Sequence, residues 1–145
     1  MLALITGASS GIGLEYAKQL ARDYHTDLLL VSNQEQEQKQ VASDLAANYG
    51  VKATALYADL SKQDAAEQLH QYCIDNNLVV DILVNNAGVF FFNPYCETSM
   101  KRIELILNLH MITVAKLCRL FGEDMINRQL TEEETTQTIC GKSRK

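Results

Sequence analysis

Residues 4–13 read LITGASSGIG, an apolar run that breaks into three glycines at positions 7, 11 and 13. With Leu2 and Ala3 ahead of it the run has strand length. The segment that follows, LEYAKQLARDY, repeats Leu14, Ala17, Ala21 and Tyr24 at helical spacing. A strand that passes into a helix through Gly7, Gly11 and Gly13 turns without Cβ atoms, which tolerates positive φ and admits close backbone approach. The helix beyond opens with unpaired N–H groups and the positive end of its dipole, a setting suited to a pyrophosphate. Ser9 and Ser10 add hydroxyl donors, and Ile12 lies between the last two glycines. The alternative is purely structural: a glycine turn that packs a helix on a strand.

Working outward, DLLLVS (27–32) is unbroken by polar residues, as a strand buried on both faces requires. The polar stretch from Gln34 to Asn48 carries Val41, Ala42 and Leu45 on one side and stops before Gly50, a helix C-cap. VKATALYA (51–58) predicts a third strand, and Ser61 with Asp64 predicts a capping box for a helix that turns Ala65, Leu69 and Cys73 inward. VVDILVNNAG (79–88) is the fourth strand with its exit turn. A long helix is expected from about Ser99 to Met125, with Ile103, Ile106, Leu107, Val114, Leu117 and Leu120 covering more than one face. This alternation predicts an α/β domain: a Rossmann-like, doubly wound parallel sheet of about four strands, helices on both faces and right-handed crossovers. The last stretch, 127–145, has only Leu130, Ile139 and Cys140 as apolar positions and predicts a solvated, disordered tail, leaving the domain to residues 1–126.

Composition excludes several classes. The 145 residues suffice for one domain, and 13 basic against 18 acidic side chains give a net charge of -5. That balance offers no footprint for a nucleic acid or an anionic membrane. Cys73, Cys96, Cys118 and Cys140 lie far apart and lack zinc-site spacing. With no signal-peptide pattern, they predict free thiols in a reducing cytoplasm.

The turn spacing is T-G-x-x-x-G-x-G, and TGASSGIG resembles the cofactor turn of the short-chain dehydrogenase/reductase family. NNAG at 85–88 resembles that family's second hallmark, Asp59-Leu60 its adenine-contacting pair, and Asn108 the helix asparagine of its catalytic tetrad. The resemblance runs from residue 2 to about 126 and implies a nicotinamide dinucleotide as cofactor and a small carbonyl or alcohol as substrate. It implies that Asp59 accepts a hydrogen bond from the adenine amino group; the alternative is a helix-capping acid. Ala87 and Gly88 would let the adenosine ribose lie against the strand end, while Asn85 ties neighbouring strand ends together. Asn108 would kink the helix and hold a water for a proton relay, unless its amide merely satisfies nearby backbone. A NAD enzyme offers a carboxylate to the ribose diol about twenty residues past the glycine turn. Ser32 and Asn33 stand there instead, which favours NADP over NAD.

The family's proton donor is a tyrosine with a lysine four residues later. None of the six tyrosines here (16, 24, 49, 57, 72, 95) has that lysine, and none follows Asn108. The chain therefore reads as a C-terminally truncated dehydrogenase without its general acid and base. The rival readings are a non-catalytic nucleotide-binding or interaction module and a decayed fragment. The long helix (99–125), the family's usual dimer surface, suggests a homo-oligomer. An apolar fourth strand left at the sheet edge predicts self-association or marginal stability. Phe90, Phe91 and Phe92 would either line a substrate pocket or pack beneath that helix.

Overall fold

In β1 (Leu2–Thr6) and β2 (Asp27–Ser32) successive side chains leave the backbone on opposite faces, and both faces are apolar. Leu4, Leu29 and Val31 belong to one core; Ala3, Ile5, Leu28 and Leu30 belong to the other. Both strands are therefore central. With β3 (Ala53–Tyr57) and β4 (Ile82–Val84) they form a parallel sheet in the order β3-β2-β1-β4, as the computed structural model describes it over residues 1–140. α1 (Gly11–Tyr24) and α2 (Glu35–Tyr49) cover one face through Ala17, Ala21, Ala42 and Leu45. α3 (Ala65–Asp75) and α5 (Thr113–Cys140) cover the other through Leu69, Cys73, Leu117 and Phe121.

Several local expectations hold. Gly50 caps α2 in the left-handed region (φ 68°), its N–H donating to Ala46 O. Others need correction. The Ser61–Asp64 capping box does not form: α3 opens at Ala65, Asp64 makes no side-chain cap, and Ser61 turns to Asp59 instead. Tyr24 is exposed, because the buried line of α1 is set by Gly13, Ala17 and Ala21.

The long helix is three segments: α4 (Met100–Leu107), a π-helical turn (Asn108–Ile112) and α5. Nor does it stop near Met125. It continues to Cys140, so the polar stretch expected as a disordered tail is helical over 127–140; residues 141–145 lie outside the described residues. Arg128, two residues past the expected domain boundary, donates to Val80 O at 2.6 Å and stands 3.7 Å from Asp81. Farther up, His70 meets Asp124 at 2.8 Å and its ring stands edge-on to Phe121, while Thr113 donates to Leu60 O at 2.9 Å. The run Met100–Gln129 is long and apolar enough by length and composition to cross a membrane. In this fold, however, Leu109, Leu117 and Phe121 are spent on the core beside α3.

One buried group works against stability. Gln38 on α2 is 1% exposed, and neither its Oε1 nor its Nε2 has a hydrogen-bond partner. An unpaired buried amide costs about 1–3 kcal/mol. Gln38→Leu is therefore expected to stabilise the fold by roughly that amount, read as a higher urea midpoint at constant m-value. An unchanged or lower midpoint would show the amide to be satisfied in solution.

Candidate functional site

The three glycines of the opening turn do different work. Gly7 and Gly11 have φ of 66° and 56°. A Cβ on Gly7 would stand 2.8 Å from Ala87 Cα, and one on Gly13 would stand 2.3 Å from Gly7 O and 2.5 Å from Asn86 Nδ2. Those two glycines bring the β1 turn, the helix start and the β4 exit into contact. Only at Gly11 would a Cβ meet nothing within 4 Å. Of the three, Gly11 alone faces open space; the close-approach expectation applies to it, and the packing alternative applies to the other two.

Ser10 precedes α1 without a side-chain cap, and the first turn carries no acid. The first N–H groups and the positive dipole end are thus uncompensated by protein charge. Ile12 is 71% exposed and, like Gly11 and Gly13, lies outside the cleft beside the turn.

That cleft, about 500 Å³, runs along the C-terminal ends of the strands. Gly7, Ser9, Ser10, Ser32, Asn33, Asp59, Leu60, Ala87 and Gly88 line it, nine of the residues singled out from the sequence. Its floor hangs on Thr6. This side chain, 2% exposed, accepts from the N–H groups of Asn86 and Ala87, each at 3.0 Å, and donates to Val84 O at 3.3 Å. Asn86 Nδ2 returns two bonds, to Thr6 O and Gly7 O at 3.1 Å each. The strand-tying role expected of Asn85 belongs to Asn86. Asn85 instead points at α5, its Nδ2 3.3 Å from Cys118 Sγ and its Oδ1 buried without a partner.

On the opposite wall, Ser32 donates to Ser9 Oγ at 3.1 Å, and Ser9 donates to Gln34 Oε1 at 2.7 Å. Gln34 N–H closes the turn on Ser32 Oγ at 3.1 Å. This relay of neutral hydroxyl and amide groups stands at the end of β2, with no carboxylate among its members. Gln34 escaped the sequence reading because its partner Ser9 is 25 residues away.

Asp59 is the cleft's one ionic lining residue among those described. Ser61 gives its Oδ1 both a hydroxyl (2.6 Å) and a backbone N–H (3.1 Å), and Lys62 stands 3.7 Å from Oδ2. The Ser61 hydroxyl, helped by the Ser61 N–H and Lys62, outweighs the opposing effect of burial and holds this carboxyl below the usual carboxylate range. Asp59 is thus an ionised acceptor, and it closes a local turn rather than capping the helix.

Asn108 begins the π-helical turn, its N–H shared between Glu104 O and Leu105 O. The expected departure from regular helix is present, and it takes the form of a π-bulge. Asn108 does not line the cleft; Leu105 and Leu109, on either side of it, do. The phenylalanine triplet does not line the cleft, and only Phe91 packs against the helix, through Arg102. Phe90 and Phe92 are 76% and 92% exposed and stack edge-on at 4.7 Å, while Arg102 lies over Phe91. Among the described residues no His/Cys/Asp/Glu cluster could hold a metal ion, and Cys73, Cys96 and Cys118 are free thiols. Burial pushes the Cys73 thiol up to about 11.

A glycine turn opening a helix, an Asn-Asn-Ala-Gly strand exit and a cleft between them over a parallel sheet define a nucleotide-binding α/β domain. The short chain dehydrogenase family model matches residues 1–132, and the chain belongs to that family. A very-long-chain 3-oxoacyl-CoA reductase from Anas platyrhynchos is 29% identical over 130 residues, 87% of this chain and 41% of that protein. A bulky-bulky ketone specific alcohol dehydrogenase from Comamonas testosteroni superposes with a TM-score of 0.81 at 27% identity, over 88% of this chain and 50% of that one. A short-chain dehydrogenase from Sphingobium yanoikuyae, solved in complex with NADPH, gives 0.80 at 29% identity, over 88% and 49%. The chain thus spans half or less of the length of these relatives.

Proposed function

We propose that these 145 residues form the dinucleotide-binding portion of a carbonyl/alcohol oxidoreductase, with NADP(H) preferred to NAD(H). The observation that carries this reading is the cleft between the two glycine-containing turns, lined by Gly7, Ser9 and Ser10 on one side and Ala87 and Gly88 on the other. The uncapped start of α1 holds the paired phosphates. The Asp59 carboxylate accepts from the adenine amino group, and Ala87 and Gly88 leave room for the adenosine ribose. The Gln34 and Asn33 amides supply neutral donors, and the Ser32–Ser9–Gln34 relay carries no carboxylate, where a NAD enzyme would place one, which supports the 2′-phosphate form. When bound, the nicotinamide supplies or takes up the hydride.

Proton transfer is a different matter. Asn108 in the π-turn holds a water for the relay, but no tyrosine in this sequence has its lysine four residues on. By themselves these residues bind cofactor without turning over substrate, and the general acid comes from elsewhere. The protein acts in the cytoplasm on small carbonyl or alcohol substrates. The β4 edge, which pairs only with β1 among the described residues, and the helical run that begins at Met100 support association with a second chain. The test is a panel of ketones with NADPH and the purified 145-residue chain, followed by loss of NADPH absorbance. Oxidation no faster than the ketone-free control is expected; steady ketone-dependent turnover would show that a proton donor is present after all.

A further inference from the structure

The exit of β4 and the π-helical turn are joined by one side chain that no family motif accounts for. His110 Nε2 stands 3.1 Å from Val89 N and 3.0 Å from Val89 O. With Nε2 bare the ring accepts from that N–H; with Nε2 protonated it donates to that carbonyl, so either neutral tautomer closes a bond to the same residue. The ring also covers Gly88: a Cβ there would meet His110 Cε1 at 2.8 Å. Gly88 and Val89 are cleft wall, as are Leu105 and Leu109 on the helix that carries His110. Ahead of them Asn86 and Ala87 hang from Thr6, and after them Phe90 is already exposed. The Val89 side chain packs against the core, and the His110 ring supplies the hydrogen bond that ties its backbone to the helix.

We propose that His110 is a positioning residue that latches the Gly88–Val89 wall of the cleft onto the π-helical turn, so that dinucleotide affinity depends on the imidazole although it need not touch the cofactor. This rests on the cleft being the dinucleotide site. The geometry also explains why position 88 takes glycine: the missing Cβ is where the latch lies, not only where a ligand would pass.

His110→Ala is expected to weaken NADPH binding about three- to tenfold, the worth of one net hydrogen bond. It should also lower the backbone NMR order parameters of Gly88 and Val89 in the cofactor-free protein. His110→Gln, whose amide can accept or donate at the same place, should restore both. Gly88→Ala should weaken binding in the natural protein by displacing the ring, yet cost nothing further in the His110→Ala background. Unchanged affinity or unchanged order in His110→Ala overturns the latch, as does an additive double variant, which would place the Gly88 effect on the ligand alone. A natural chain that binds no dinucleotide refutes the reading of the cleft, and the order parameters still decide separately whether His110 restrains the wall.

Discussion

Gly13→Ala is expected to cost about 2–3 kcal/mol, the upper range for overpacking a site that cannot yield. That corresponds to a drop of roughly 6–12 °C in Tm for a domain of this size. Its Cβ would be 2.3 Å from a backbone oxygen, Gly7 O, and 2.5 Å from Asn86 Nδ2, whose two bonds hold the β1 and β4 turns together. Gly7 O is backbone, and the Asn86 amide, though a side-chain end, is held by its bonds to Thr6 O and Gly7 O, so α1 must move away from the sheet. The same displacement carries the helix N-terminus off the cleft, and NADPH affinity should fall at least tenfold. Gly11→Ala is the matched control. It meets no atom within 4 Å, so its cost is the left-handed strain alone, about 1–2 kcal/mol. Equal melting temperatures for the Gly13 variant and the natural chain would mean that the packing between the two turns is not as described.

Thr6→Val tests the other side of that junction. Valine matches threonine in shape and leaves no acceptor for the N–H groups of Asn86 and Ala87. With Thr6 at 2% exposure, the two orphaned donors are expected to cost about 2–4 kcal/mol together, a large fraction of a domain's stability of roughly 5–15 kcal/mol. Thr6→Ser keeps the hydroxyl and loses one methyl, for about 1 kcal/mol. Denaturant unfolding of the three proteins should rank natural, serine, valine. Valine and serine variants of equal stability would remove Thr6 from its place as the hub of the floor.

These two residues also show what could be read in the chain and what could not. Periodicity is local, so LITGASSGIG, DLLLVS and the Gly50 stop announce strands, turn and cap within a few residues of themselves. Thr6 and Asn86 are 80 residues apart, and no pattern along the chain says which of Asn85 and Asn86 reaches back. The Ser61–Asp64 capping box fails for the opposite reason: a two-residue side-chain turn from Ser61 to Asp59 competes with it. The helix past Met125 leaves no apolar periodicity in the sequence, because glutamate and glutamine favour helix by intrinsic propensity. The phenylalanine triplet suggests a pocket lining or packing beneath the long helix, but Arg102 engages Phe91 alone and leaves the other two rings in solvent. His110 gave no signal because its partner is a backbone group, to which any sequence is blind.

The most direct measurement is calorimetric titration of NADPH and NADH into the purified chain, with circular dichroism on the same sample to establish that it is folded. Saturable binding of NADPH, weaker binding of NADH and loss of both in Gly13→Ala are the expected results. A folded sample that gives no heat with either nucleotide would contradict the assignment of the cleft.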